Sequence, residues 1–376
     1  MPRAQLTNKP QPPSGPPYLP PVAQLGGVPT PIPDVPISAV LLALFVGSAA
    51  LHMTIFQVNL RRSHFFVFSV LLFGFSMARI VALSMRLAFA YHPTNVSVGI
   101  AAGVFTAAGV ILLFLVNLLF AQRIVRAYHP SFGWNKTIRW AFRGLFISVA
   151  AALIMVITVS IHLFYTLDPV VRGRERDVQL FVGTYLAVMA FLPIPITLTA
   201  RAAAWWKVRN SSDEKKRFVA EKFGSGSFRA KMTLLLTTSA LLSLGAGFKA
   251  GIAFVPRPIT QPAWYQGRAP YYCFNYVIEL IVVYMYGLAR FDRRFHVPNG
   301  SAGPGDYSKG LGLSVNKEEE VFGPGDSADG AEGTDRTSAM VGDDSGIGNA
   351  EWEERYAYAG RRSETLEPAK KTVENV

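Results

Sequence analysis

Three ionisable side chains stand in stretches of sequence that are otherwise apolar. They are Arg79, Lys249 and Glu279. A helix rises about 1.5 Å per residue, which places Arg79 roughly 13 Å and Glu279 roughly 12 Å below the same membrane boundary. Charges at such depth are costly and find partners inside a helix bundle. We therefore predict that Arg79 and Glu279 form a buried ion pair, with Lys249 as a competing or third member.

This ion pair has two interpretations. It could form a polar site for the head group of a ligand, open to the outer leaflet of a membrane. Alternatively, it could be structural and fix the packing of the two helices that carry it. Loss of either partner leaves a buried charge alone and is strongly destabilising under both interpretations. The sequence favours the structural interpretation.

Three further polar residues lie within apolar stretches: His52, Asn117 and His162. The two histidines are predicted at opposite depths, too far apart to bind one metal ion, and no His-x-x-x-His pattern is present. We expect each histidine to hydrogen-bond to a neighbouring helix, and we expect no metal site and no cofactor. The sequence has no nucleophile–base motif, phosphate loop or dinucleotide fingerprint, so an enzyme is not predicted. The single cysteine excludes an intrachain disulfide.

The elements that must position these residues are apolar helices. Half of the 376 residues are hydrophobic and only 16% are charged, against about 25% in a typical soluble protein. A bilayer core needs about 20 helical residues, and seven stretches are long enough. They cover about 36–58, 64–88, 96–120, 141–165, 178–200, 231–254 and 271–290. The sequence therefore predicts an all-α transmembrane domain over residues 36–295, with seven helices in a bundle.

The orientation follows from the basic residues in the connections. The connections on one side hold 18 Lys and Arg residues, and those on the other side, with the N-terminal segment, hold seven. Cytoplasmic loops carry the excess of positive charge. We predict that the N-terminus lies outside and the C-terminus lies in the cytoplasm, at the plasma membrane in preference to an endomembrane.

The two ends of the chain differ from the body in composition. Residues 1–35 contain eleven prolines, which predicts a disordered arm. Residues 296–376 are rich in Gly, Ser and acidic side chains, which predicts a disordered cytoplasmic tail. The body to residue 296 has a net charge of +20 and the remainder −8, so the basic charge belongs to an apolar body. That excludes a nucleic-acid-binding module. Glycosylation of Asn95, in an Asn-Val-Ser sequon, stays open.

Two prolines, Pro193 and Pro195, fall inside the fifth predicted helix and remove two backbone donors. They predict a kink, either a moving hinge or a static bend, and the static bend is favoured. Trp205 and Trp206 follow at the predicted inner boundary.

A cationic segment comes next, with Lys215, Lys216 and Arg217 at its centre. It predicts a short helix lying on the inner leaflet. Its role is either to dock a cytoplasmic partner or merely to keep the fifth connection on the cytoplasmic side.

Four segments carry a resemblance to a known family. They are the run from Gly26 to Phe45, HMTIFQ at 52–57, FGFSMARI at 73–80 and NLLFAQRIVRAYHP at 117–130. They resemble a fungal family of seven-span membrane proteins of unassigned function, over roughly residues 26–297. The resemblance implies a fungal source and a multi-pass location but no established activity.

A more distant similarity is to fungal lipid-translocating exporters of the RTA type. Pro36, His52 and Arg86 match that family in kind and order, whereas its acidic residue in the second helix is missing. The seven spans also look like a G-protein-coupled receptor, although the third helix ends Ala121-Gln122-Arg123 and the seventh has no Asn-Pro-x-x-Tyr.

The function that we expect is that of a non-enzymatic, receptor-like or sensor-like protein. It would bind a small or lipidic ligand between its helices and act on a cytoplasmic partner through the fifth connection or the tail. A lipid or amphiphile translocator or resistance factor is the alternative, and a membrane scaffold is a third. The lipid bilayer is a partner in each case, and nucleic acid is not.

Overall fold

The computed structural model describes residues 15–18, 22–62, 64–210, 219–309 and 319–320. These residues form helices almost throughout and belong to one compact unit, Met1–Pro324. Within them, seven helices are long and apolar enough to cross a membrane, which confirms the prediction of an all-α protein with seven spans. Numbered in chain order, the spans are Pro31–Arg61, Val67–Tyr91, Val96–Tyr128, Lys136–His162, Pro169–Arg209, Phe228–Phe254 and Arg268–Leu288.

Most spans extend beyond the predicted apolar core. Span 3 was expected to end near residue 120 but continues to Tyr128. Arg123 and Arg126 lower the hydropathy of the segment without ending the helix. His129 follows the helix as its cap, with a non-helical φ of −131° and ψ of 74°. The next residue is Pro130, and a residue before proline is pushed out of the helical region.

Span 5 begins nine residues earlier than expected for a related reason. Its first turns carry charged side chains that mask the helix in a hydropathy profile. The start is set by Asp168, whose carboxylate accepts a hydrogen bond from the amide of Val170 at 2.8 Å, and by Pro169 at the first helical position. Both are typical of a helix N-terminus.

Span 5 consists of two helices, Pro169–Phe191 and Pro193–Arg209, which meet at Leu192. The break lies at the predicted proline pair. Thr197 and Thr199 donate their hydroxyls to the carbonyls of Pro193 and Pro195, both at 2.6 Å. Each hydroxyl bonds the carbonyl four residues earlier, within the second helix of span 5.

Span 7 is also irregular. It consists of the helix Arg268–Tyr272, a π-helix Cys273–Val277 and the helix Ile278–Leu288. The side chain of Asn275 donates to the carbonyl of Tyr271 at 2.9 Å within this wider turn. Such π-helical turns are frequent at functional sites.

We name the two ends of the bundle by the chain segments that reach them. The arm face is the end at which span 1 begins. The tail face is the end at which span 7 finishes. Spans 1, 3, 5 and 7 run from the arm face to the tail face, and the other three spans return.

At the arm face, part of the predicted disordered arm is folded. Residues 31–35 already belong to span 1. Residues 22–30 pair with the connection between spans 6 and 7: Ala23 donates to the carbonyl of Arg257 and Gly26 to that of Gln266, both at 2.8 Å. The proline content of the whole segment gives no information on these local backbone hydrogen bonds. Residues 1–14 and 19–21 lie outside the described part of the chain.

At the tail face, the prediction of a tail that is disordered from residue 296 is wrong for its first part. Tyr307, in the short helix Asp306–Lys309, is only 1% exposed and packs between Trp134 and Phe223. The amide of Tyr307 donates to the carboxylate of Glu221 at 2.8 Å. Two-residue strands, β1 (Val219–Ala220) and β2 (Glu319–Glu320), pair antiparallel. Residues 310–318 and 321–376 lie outside the described part.

Candidate functional site

The structure brings Arg79 of span 2 and Glu279 of span 7 into contact. The Nε of Arg79 donates to Oε2 of Glu279 at 2.6 Å, and its Nη2 lies 2.6 Å from the same oxygen. The Nη1 donates to the carbonyl of Thr106 on span 3 at 2.7 Å. The two side chains are 0% and 2% exposed. One guanidinium therefore connects three spans.

Span 3 can approach this guanidinium because it has a glycine at the contact. A β-carbon on Gly109 would lie 3.3 Å from Cζ and Nη1 of Arg79, which is tighter than ordinary packing. The carbonyl of Thr106 is thereby within hydrogen-bonding distance. The rings of Phe75 and Tyr276 lie 5.2 and 5.6 Å from the Arg79 Cζ and complete its surroundings.

Lys249 of span 6 is the third member of this group, and its contact with Glu279 is longer than that of Arg79. Its Nζ lies 3.4 Å from Oε1 of Glu279, and its side chain is 28% exposed. Two cations therefore share one carboxylate, and the group has a net charge of +1. Uncompensated charge in a membrane span is expensive, so a further anion is favoured there.

Lys249 lines a cavity of about 660 Å³ at the arm face, which we call the arm-face cavity. Spans 3 to 7 and residues 22–25 form its wall. Arg172 and Arg176 of span 5 add two more cations, and no carboxylate occurs among the described residues that line it. The remaining wall is largely aliphatic, with Gly99, Gly103 and Ala107 leaving room on span 3.

A second cavity of about 490 Å³ lies beside the first and shares residues 22–25 with it. Its cations are Arg86 and Arg268. Both bind Asp34: Nη2 of Arg86 lies 3.0 Å from Oδ1, and Nε of Arg268 lies 2.8 Å from Oδ2. Tyr272 donates its hydroxyl to Oδ1 at 2.8 Å. We call these four residues the Asp34 cluster.

Sequence reasoning missed the Asp34 cluster. It assigned no role to Asp34 and considered Arg86 only as a match to the lipid-translocating exporters. One signal was available, because Asp34 is the sole acidic residue among the first 167. A single carboxylate in so basic a region predicts a cationic partner.

A chain of tyrosines joins the Asp34 cluster to the Arg79 group. The guanidinium of Arg86 lies 4.0 Å from the ring centroid of Tyr271, whose hydroxyl is 3.1 Å from that of Tyr276. The Tyr276 hydroxyl lies 3.0 Å from that of Thr106, the residue whose carbonyl binds Arg79. The two charged groups are thus parts of one polar network.

The two histidines lie in separate places. His52 is fully buried near the tail face, where its Nε2 lies 3.2 Å from the carbonyl of Val283 on span 7. His162 is at the arm face, where its Nδ1 contacts the carboxylate of Glu175 on span 5. The described residues contain no group of three potential metal ligands.

Asn117 connects spans 3, 6 and 7 in the lower half of the bundle. Its Nδ2 donates to Ser239 at 2.9 Å, and its Oδ1 accepts from the hydroxyl of Tyr286. That hydroxyl is also 2.8 Å from the one on Thr238. These contacts lie nearer to the tail face than the residues of spans 3, 6 and 7 that line the arm-face cavity.

Trp205 and Trp206 lie exposed near the tail-face end of span 5, and Arg209 lies 5.1 Å from the ring of Trp205. The cationic centre of the fifth connection, Lys215, Lys216 and Arg217, lies outside the described residues.

Comparison with known proteins gives a family match over part of the chain. Residues 210–296 are similar to a family described as "Protein of unknown function (DUF3112)". No curated protein and no solved structure matches the chain. The matched segment includes spans 6 and 7, and therefore Lys249 and Glu279, whereas Arg79 and Asp34 lie outside it. The seven apolar spans make the chain a multi-pass membrane protein.

Proposed function

We propose that the protein is a receptor-like or sensor-like membrane protein of fungal type that binds an acidic amphiphile in the arm-face cavity. It is not an enzyme under this proposal. Its arm face is on the outside of the plasma membrane, and its tail face is in the cytoplasm, in agreement with the distribution of basic residues.

The observation that carries the proposal is the charge of the cavity wall. Lys249, Arg172 and Arg176 line the cavity, and Glu279, which contacts Lys249, is already bound by Arg79. An apolar wall with a few convergent polar groups is typical of a ligand site. An acyl chain would fill the aliphatic part, and an acidic head group would offset the excess positive charge.

Binding of such a head group would change the contact between Lys249 and Glu279. Lys249 is held to Glu279 at 3.4 Å, a long distance for a charge-assisted hydrogen bond. A ligand anion would compete for the same ammonium group. Spans 6 and 7, which carry the two residues, both continue to the tail face, where a cytoplasmic partner would detect their movement.

The polar contacts between spans 3, 6 and 7 on the tail-face side of the cavity favour binding over translocation. The Asn117 contacts join spans 3, 6 and 7 nearer to the tail face than the cavity. A translocator needs a continuous path for its substrate, and these contacts would have to separate to open one. A scaffold requires no cavity at all.

The proposal is tested by ligand binding in nanodiscs of neutral lipid. The probes are oleate and oleyl alcohol, which share a chain and differ in charge. We expect oleate to bind at least about tenfold more tightly, since a hydrogen bond to a charged group contributes about 1.5–3 kcal/mol. Lys249→Gln should reduce this preference, and Lys207→Gln, which changes an exposed lysine near the tail face, should leave it unchanged. Equal affinity for both probes would refute the proposal.

A further inference from the structure

A second group of cations without a carboxylate lies at the opposite end of the protein. Arg123 and Arg126 occupy the last turns of span 3, three residues apart and thus on one side of the helix. Within the described residues, neither forms an ion pair with a carboxylate. Their charge needs compensation from elsewhere.

The two guanidinium groups are held in place by aromatic rings. Cζ of Arg123 lies 4.5 Å from the ring centroid of Phe68, and its Nη1 donates to the carbonyl of Phe295. Cζ of Arg126 lies 4.3 Å from the ring centroid of Trp134. Stacking on rings fixes the planes of the guanidinium groups, and Arg126 also hydrogen-bonds to the side chain of Tyr307, which lines the same cavity.

Both arginines line a cavity of about 250 Å³ at the tail face, which we call the tail-face cavity. Residues 65–68, before and at the start of span 2, form one side. A turn at Pro298–Ser301 forms the other, closed by a hydrogen bond of 3.3 Å from the amide of Ser301 to the carbonyl of Pro298. Gly300 has a φ of +81°, which allows the turn to bend over the cavity.

The size and the lining of this cavity define the class of ligand. Drug-sized ligands occupy about 300–1,000 Å³, so 250 Å³ suits a smaller group. No carboxylate occurs among the described lining residues. Two preoriented guanidinium groups match the geometry of phosphate oxygens, to which arginine binds in a bidentate manner.

We propose that the tail-face cavity is a binding site for a phosphate group, with Arg123 and Arg126 as its ligands. The phosphate belongs either to the head group of a membrane lipid or to a free ion. The site is independent of the arm-face cavity, because span 3 contributes different turns to each. Segments beyond span 7 close it, so occupancy would stabilise the folded part of the tail.

The test uses the full chain in micelles of dodecyl maltoside, a detergent without phosphate, with three conditions: no addition, inorganic phosphate, or added phosphatidic acid. Bound lipid is counted by native mass spectrometry, and the thermal midpoint is measured in parallel. We expect phosphatidic acid or inorganic phosphate to raise the midpoint. Phosphatidic acid alone would assign a lipid source, and equal effects of both would assign a free ion.

Three variants separate the site from general folding effects. Arg126→Gln should weaken binding about tenfold. Asn299→Glu, an exposed residue of the turn, should fold normally and supply a carboxylate that excludes phosphate. Arg209→Gln is the matched control, since Arg209 also stacks on a tryptophan at 5.1 Å but lies on span 5. Retained phosphate binding in Asn299→Glu, or no binding to the unmodified protein, would overturn the proposal.

Discussion

Arg79 and Glu279, 200 positions apart in the chain, meet at 2.6 Å in the interior of the bundle. Removing one partner of such a pair leaves the other charge buried, which typically costs about 3–5 kcal/mol. We expect Glu279→Gln to be strongly destabilised, because Arg79 and Lys249 would then repel each other without a carboxylate between them. The measurement is the thermal midpoint in detergent.

The double variant Arg79→Leu/Glu279→Leu is the control for this prediction. It removes both charges and keeps apolar volume, so its midpoint should exceed that of Glu279→Gln. A Glu279→Gln protein as stable as the original would contradict the role assigned to the pair.

Asp34 should control the order of the arm. Its carboxylate accepts a hydrogen bond from the amide of Thr30 at 2.9 Å and binds both Arg86 and Arg268. We expect Asp34→Asn to accelerate hydrogen exchange across residues 22–30. Asp168→Asn is the matched control, since Asp168 caps span 5 at the same face and asparagine caps equally well. Unchanged exchange in Asp34→Asn would show that the arm is held without the Asp34 cluster.

Gly224 should be required for the packing of the tail face. Its φ is +55°, and a β-carbon there would clash with the carbonyl oxygen of Arg294. Gly224→Ala should therefore lower stability by about 1–3 kcal/mol. Gly144→Ala is the control, because nothing lies within 4 Å of its β-carbon position and alanine favours a helix. The comparison is the thermal midpoint, and a loss in Gly144→Ala alone would refute the assignment.

The folded part of the tail should weaken in acid. Burial lowers the pKa of His296 to about 4, and the charges of His64 and Arg123 act in the same direction, against Asp292. An unfolded histidine has a pKa of about 6.5, so protonation favours the unfolded state as the pH falls from about 6.5 to 4. Above 6.5 no change is expected from this group.

Limited proteolysis at residues 296–309 measures this pH dependence, at pH 7.5 and pH 5. The protein should be cut faster at pH 5. The His296 ring stacks on that of His64, with centroids 4.7 Å apart. His296→Phe keeps an aromatic ring there and should reduce the difference in cleavage rate between the two pH values. An equal difference in His296→Phe would assign the effect to another group.

The sequence indicated how deep a side chain lies along its span. It indicated much less about the direction in which that side chain points. Counting residues from the span ends placed Arg79 and Glu279 at the same level, and the structure has them in contact. The same counting gave no sign that the side chain of Arg86 turns inward to Asp34. Rotation about the helix axis depends on packing against neighbouring spans, which hydropathy does not contain.

Composition was also too coarse at the two ends. An average over residues 296–376 is dominated by Gly, Ser and acidic residues and hides Tyr307, a single ring that fixes the first part of the tail. The arm was misjudged in the same way. A few backbone hydrogen bonds and one buried ring determine whether these segments are folded. A composition averaged over a long segment does not show them.

Residues 22–25 form part of the wall of the arm-face cavity and of the second cavity beside it. They also form backbone hydrogen bonds with the connection between spans 6 and 7. Occupancy and arm attachment are therefore thermodynamically linked, and the linkage is reciprocal. A bound molecule would slow cleavage of the arm by protease, and detaching the arm would weaken binding by the same factor. The arm thus offers a built-in reporter of occupancy that requires no labelled ligand.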